Sequence, residues 1–216
     1  MFRILAVFLL AAATIASAGP AGAAGGLRVA AAASLTTAMR ELARDFESET
    51  GTPVVLSFAS TGKLAFQVSR GAPFDVFFAA DTAHVEGLVK EGHVDGDTVV
   101  VYARGRLVIA VNETSGVEVA DPVDLLSRGI RRVAIANPDH APYGIAAREA
   151  LVTSGVWEAL RPRIVYGENV RQAMVFVSTG NAEAGLVAMS VADSKGVRVV
   201  PVDPSLYTPL EQAAAV

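Results

Sequence analysis

From Leu27 onward, short apolar runs alternate with longer stretches in which apolar residues recur every three or four positions. The runs predict strands over Leu27–Ala32, Pro53–Phe58, Asp75–Ala79, Thr98–Tyr102, Leu107–Val111, Arg132–Ala136, Arg163–Tyr166, Ala184–Ala188 and Val197–Val202. Several carry no polar alternation, which marks strands covered on both faces, as in parallel sheets. Between them, Thr36–Glu49 places Met39, Leu42, Ala43 and Phe46 on one helical stripe. Comparable helices are predicted over Leu64–Ser69, Ala83–Glu91, Gly144–Ser154 and Val170–Ser178. Strands alternating with helices predict an α/β fold. Two nearly adjacent strands, VVVYA and LVIAV, flank Arg104-Gly105-Arg106 near the middle of the chain. This reads as a crossing between two lobes, 27–103 and 104–202, with a return near Val197–Pro204 that lets 203–216 complete the first.

The first residues have a different layout. Arg3 supplies a positive start, Ile4–Ala13 an apolar stretch, and Ala16-Ser17-Ala18 or Ala21-Gly22-Ala23 a small-residue cleavage site, so 1–24 reads as a secretory signal. It is short for a membrane span, and export to the periplasm follows. The chain has no cysteine, which excludes disulfides, thiol catalysis and thiolate metal sites. Its formal charge of −4 becomes one unit more negative once Arg3 leaves. With no block of Lys or Arg, nucleic acid is excluded as a partner, and any bound anion must be held by local donors.

Several residues invite a chemical reading that their context weakens. Lys63 in STGK lacks the G-x-x-x-x-G-K-[ST] pattern of a phosphate loop and reads as a solvated helix lysine. His84, His93 and His140 are too scattered for a bare-cation metal site; His140 falls in a loop expected to face the ligand. Trp157 reads as a core anchor. No histidine-centred triad spacing or metal motif is present, so no catalytic residue is assigned and the chain is not read as an enzyme.

Four strand-to-helix junctions stand apart. AAASLT places Ser34 after the first strand, and FASTGKL places Ser60, Thr61 and Gly62 after the second; NPDHAPYG sets Tyr143 and Gly144 at one later helix start, and YGENV sets Asn169 and Val170 at another. Helix starts expose unpaired N–H groups and a partial positive charge, which attract anions. In α/β sheets these junctions gather at the carboxyl edge of the strands. Ser34 and Thr61 could equally be ordinary N-caps. Asp81 reads as the N-cap of the Ala83 helix and Glu168 as a first-turn acid.

The segments AAASL, FASTGKLAFQV, GAPFDVFFAAD, NPDHAPYGIAAREAL, ENVRQA and SKGV, in that order, resemble the periplasmic molybdate-binding proteins of ABC transporters, from Leu27 to the C-terminus. The resemblance implies a type II periplasmic-binding-protein fold of two lobes, each a mostly parallel sheet flanked by helices, with the ligand cleft between them. It implies Ser34 and Thr61 as hydroxyl and backbone donors and Tyr143 and Val170 as backbone donors, with Ser60 the alternative to Thr61. Some members add a tyrosine hydroxyl where this chain has Ala188. The implied ligand is molybdate or tungstate, with no further cofactor, and the implied partner is the membrane permease of an importer, served by a monomer. Sulfate, thiosulfate or phosphate on the same fold is the alternative, as is an enzyme on the same two-lobed scaffold. A fully ionised dianion wants donors only, whereas protonated phosphate also needs an acceptor. Loss of the Ser34 or Thr61 hydroxyl is expected to cost affinity with little stability beyond a cap. The family also implies a further helical segment after TPLEQAAAV, which a chain ending at Val216 does not carry.

Overall fold

The computed structural model describes residues 26–216; the expected signal, 1–24, lies outside the described residues. The chain forms two compact units, one reaching Ala103 and completed by Glu211–Val216, the other spanning Arg104–Leu210. The return therefore comes later than position 203, because 203–210 stay with the second unit.

The first unit contains β1 (Leu27–Ala32), α1 (Thr36–Thr50), β2 (Val54–Ala59), α2 (Thr61–Ser69), β3 (Val76–Phe78), α3 (Ala83–Lys90) and β4 (Val100–Gly105), and receives the final strand, β10 (Leu210–Ala215). Its sheet order is β2-β1-β3-β10-β4. β1 pairs in parallel with β2 and β3, whereas β10 runs antiparallel to β3.

Strand periodicity explains the unbroken apolar runs. Val29, Ala31, Phe78 and Ala214 pack on one side with Met39 and Phe46 of α1, while Ala30, Phe77, Ala213 and Ala215 pack on the other with Leu64 of α2 and Val85 and Leu88 of α3. Successive residues point to opposite faces, so a strand covered by helices on both sides must be apolar at every position.

The second unit contains β5 (Leu107–Asn112), β6 (Val133–Ala136), α4 (Pro142–Thr153), α5 (Trp157–Leu160), β7 (Ile164–Gly167), α6 (Val170–Ser178), β8 (Ala184–Ala188) and β9 (Val197–Pro201). Its sheet order is β7-β6-β8-β5-β9. β6 is parallel to β7 and β8, but β5 is antiparallel to both β8 and β9. Each sheet thus has a parallel group of three strands, joined by a strand that enters the unit against that group, β10 in the first and β5 in the second. Trp157 is only half-buried, with the Arg148 guanidinium 5.5 Å from its ring centroid, while its neighbours Val156 and Leu160 are the residues in the core. An amphipathic ring under an arginine suits that boundary better than a core.

Carboxylates staple the amino ends of the parallel strands. In the first unit Asp75 accepts from the Arg28 N–H at 2.7 Å, and its own N–H returns a bond to the Arg28 carbonyl at 2.8 Å, tying β3 to β1. In the second, Glu183 accepts from the Arg131 and Arg132 N–H groups at 2.9 and 2.8 Å, with the Arg131 guanidinium at 3.4 Å, tying the entry of β8 to that of β6. Burial pushes the Glu183 carboxyl upward, but the two backbone donors and the arginine outweigh it and hold the carboxyl below its ordinary value. A depressed folded-state value stabilises the protein above the unfolded carboxyl's range and is lost as pH falls through the folded value. Glu183→Ala is therefore expected to cost about 1.5–3 kcal/mol at neutral pH, the range for hydrogen bonds to a charged group. The gap between variant and wild type should shrink as pH drops below about 4. Urea unfolding at several pH values checks this, and a gap independent of pH would remove the carboxylate from the account.

Candidate functional site

Register places the predicted junctions side by side. Ala32 and Ala59 are paired at the carboxyl ends of β1 and β2, and Ser34 and Thr61 each lie two residues further on. Adjacent strands are about 4.8 Å apart, so the two hydroxyl residues leave one sheet edge together. Both are almost fully buried.

Neither hydroxyl acts as an ordinary cap. Ser34 sits in a 3-10 turn, Ala33–Leu35, and the N-cap of α1 is Leu35, with no side-chain bond to the helix. Ser60 is the N-cap position of α2, again with no side-chain capping bond to the helix, and Thr61 is the first helical residue. The Thr61 Oγ1 accepts from the Ala80 N–H at 3.0 Å. An oxygen fixed in that way keeps its own proton for donation. Ala80, beyond the end of β3, is a contributor the sequence did not reveal, because a partner nineteen residues away leaves no local pattern.

The second unit repeats the arrangement. Ala136 and Gly167 are paired at the carboxyl ends of β6 and β7, and the Asn137 N–H donates to the Gly167 carbonyl at 2.8 Å. α4 starts at Pro142, earlier than predicted, with Tyr143 second and Gly144 third; the Gly144 and Ile145 N–H groups both donate to the Ala141 carbonyl. Pro142 has no N–H and is preorganised for that first position. The helix start presses close against β6: a Cβ on Gly144 would lie 2.3 Å from the Ala136 carbonyl oxygen. Gly167 is similarly confined, since a Cβ there would lie 2.6 Å from the Ala173 nitrogen. These two contacts explain why both junctions carry glycine.

At α6, Asn169 is the N-cap. Its Oδ1 accepts from the Arg171 and Gln172 N–H groups, each at 3.0 Å, and the Ala173 N–H donates to the Asn169 carbonyl at 3.1 Å. Gln172 reaches back to accept from the Glu168 N–H at 2.6 Å. This is a capping box in which the return bond goes one residue before the cap, and the Asn-x-x-Gln spacing was there to be read. Val170 supplies the first-turn amide that no i−4 carbonyl of the helix can reach. Ala188 ends β8, which is parallel to β6, so it lies on the same edge but contributes only a buried methyl.

Charge separates these helices from the rest. Of the α-helices among the described residues, α1, α2, α4 and α6 have no acidic residue in the first turn, whereas α3 and α5 carry Glu86 and Glu158 there. Glu168 is exposed and precedes the cap of α6 rather than lying in its first turn. Asp81 does not occupy the cap position of α3, which is Thr82; it accepts from the His84 N–H one residue earlier and pairs with the His84 ring at 2.8 Å. Lys63 is exposed on α2, and His140 lies in the 137–141 loop before α4.

Residues 27–216 match the family described as bacterial extracellular solute-binding protein. A molybdate-binding protein of Azotobacter vinelandii is 39% identical over 196 residues, covering 88% of this chain and 77% of the relative. One from Escherichia coli strain K12 is 39% identical over 184 residues, covering 82% and 70%. The solved structure of an Azotobacter vinelandii periplasmic molybdate-binding protein superposes with a TM-score of 0.79 at 32% identity, covering 88% of this chain and 84% of that one.

The Ala80–Thr61 bond changes what loss of the hydroxyl should do. Thr61→Val keeps the volume but strands the buried Ala80 N–H, so the ligand-free protein should lose about 1–3 kcal/mol, more than the small effect expected from sequence. Thr61→Ser should stay near wild type. Urea unfolding of both variants without ligand checks this, and equal stability of Thr61→Val and wild type would remove the Ala80 contact from the account.

Proposed function

The chain belongs to the bacterial extracellular solute-binding protein family, and from that membership we propose that it binds molybdate, and tungstate alike, as the substrate-binding component of an ABC importer. Its fold is the type II binding-protein fold of the solved molybdate-binding relative. The relatives' role supports a periplasmic site of action and a membrane permease as partner. Such a protein captures its ligand without making or breaking a bond.

We assign the anion's donors to the Ser34 and Thr61 hydroxyls and nearby amides from the first unit, and to the Tyr143 and Val170 amides from the second. Ser60 is a neighbour whose role is the helix start. The observation that carries the reading is the selective absence of acids from the first turns of α1, α2, α4 and α6. Acidic first turns normally stabilise helices, so their absence at these four starts suits a ligand that is itself a dianion. Oxyanions without a proton require donors alone, and amides and hydroxyls hold them without a compensating cation because the helix dipoles supply partial positive charge.

Calorimetry on the mature chain should give a molybdate dissociation constant below about 1 μM, with sulfate at least about a hundredfold weaker, equivalent to roughly 2.7 kcal/mol. Sulfate's shorter bonds would not reach donors set for the larger ion. Equal affinities for the two anions would end the molybdate reading. Ser34→Ala should weaken binding by about 1.5–3 kcal/mol, the range for a hydrogen bond to a charged group, while Tyr143→Phe should bind as wild type because its backbone is the donor. A large loss in Tyr143→Phe would move the role to its hydroxyl.

A further inference from the structure

We propose that Asn169 is a positioning residue for the anion site: it caps α6 with a neutral acceptor, consuming the amides that follow Val170 and leaving Val170's own N–H to meet a dianion. This rests on the assignment of Val170 as a donor. The first turn of α6 offers four amides that the helix cannot pair internally. The Asn169 Oδ1 takes two of them, those of Arg171 and Gln172, while its carbonyl accepts the first intrahelical bond, from the Ala173 N–H. A ligand arriving at this helix start therefore meets Val170 as the one amide of residues 170–172 not taken by the cap, held in a fixed direction rather than in a frayed set.

Helix stability alone does not select asparagine here. Aspartate caps equally well and gains further from the helix dipole. Away from the four site helices, side-chain caps in the described chain include Asp95, Asp121 and Asp203, alongside Asn112. At position 169 an aspartate would keep both Oδ1 bonds and put a full negative charge one residue from the proposed donor. The cost would fall on the bound dianion and not on the helix.

Three variants, titrated calorimetrically with molybdate and melted without it, separate these roles. Asn169→Asp should melt at or above the wild-type temperature yet bind molybdate at least about tenfold more weakly, as expected for a unit charge near a dianion in a partly screened site. Asn169→Ser keeps a neutral cap and should bind within about threefold of wild type. Val170→Pro deletes the amide itself at a helix position that tolerates proline; Asn169 is already extended at φ −147°, ψ 174°, and Pro142 holds the same position in α4. It should lose at least about tenfold in affinity. Wild-type affinity in Asn169→Asp, with Val170→Pro weakened, would overturn the role of Asn169 and leave the donor assignment standing. Wild-type affinity in Val170→Pro would overturn both.

Discussion

The first amides of an α-helix have no acceptor within that helix, and on the proposed function four helix starts of this protein turn such amides toward an anion. Everything around them follows from that unmet requirement. The strands end where they do so that α1, α2, α4 and α6 begin at sheet edges, and glycine stands where a helix start must press against a strand. The hydroxyl residues Ser34 and Thr61 each sit one residue away from a capping position, Ser34 before that of α1 and Thr61 after that of α2. Thr61 is the instructive case: its oxygen is occupied by the Ala80 amide, which turns a potential cap into an oriented donor.

Parallel pairing makes this arrangement possible. Two parallel strands present their carboxyl ends on one edge, and each is followed by its own helix, so two helix starts arrive together without any special loop. The in-register pairs Ala32 with Ala59 and Ala136 with Gly167 do this once in each unit. The opposite edge is held by a different device, the carboxylates of Asp75 and Glu183 bonded to backbone N–H groups. Acidic side chains thus secure the ends of the parallel strands remote from the helix starts and are absent from the first turns of α1, α2, α4 and α6.

Much of this was legible in the sequence because both-sided burial leaves an unmistakable trace. Runs such as VAIA and AGLVA can only be covered strands, and β1 and β8 match their predicted limits. The stripe of Met39, Ala43 and Phe46 likewise could only be a buried helix face. What sequence could not give was the partner of a side chain or the direction of pairing. Ser34 looked like a cap but lies in a 3-10 turn, because one extra turn between strand and helix leaves no mark in residue type. The reversal of β5 and β10 depends on where the chain re-enters a sheet, which is a tertiary matter. Trp157 was misplaced for a related reason: its size argues for burial, but Arg148 on the preceding helix covers it instead.

The exclusion of acids from four helix starts carries an energetic consequence. A carboxylate in a first turn stabilises a helix by about 0.3–1 kcal/mol, so four helices without one forgo on the order of 1–4 kcal/mol. That is an appreciable share of the roughly 5–15 kcal/mol that holds a domain folded. A protein selected for stability alone would have filled those positions, as α3 and α5 have with Glu86 and Glu158. On the proposed function the deficit exists only in the ligand-free state. An anion at saturation, about a thousandfold above its dissociation constant, adds roughly 4 kcal/mol to the folded form, which is the size of what the bare helix starts lack. The ligand then takes the place that first-turn carboxylates hold in other helices, and the chain can be acidic overall while remaining locally donor-rich where it matters.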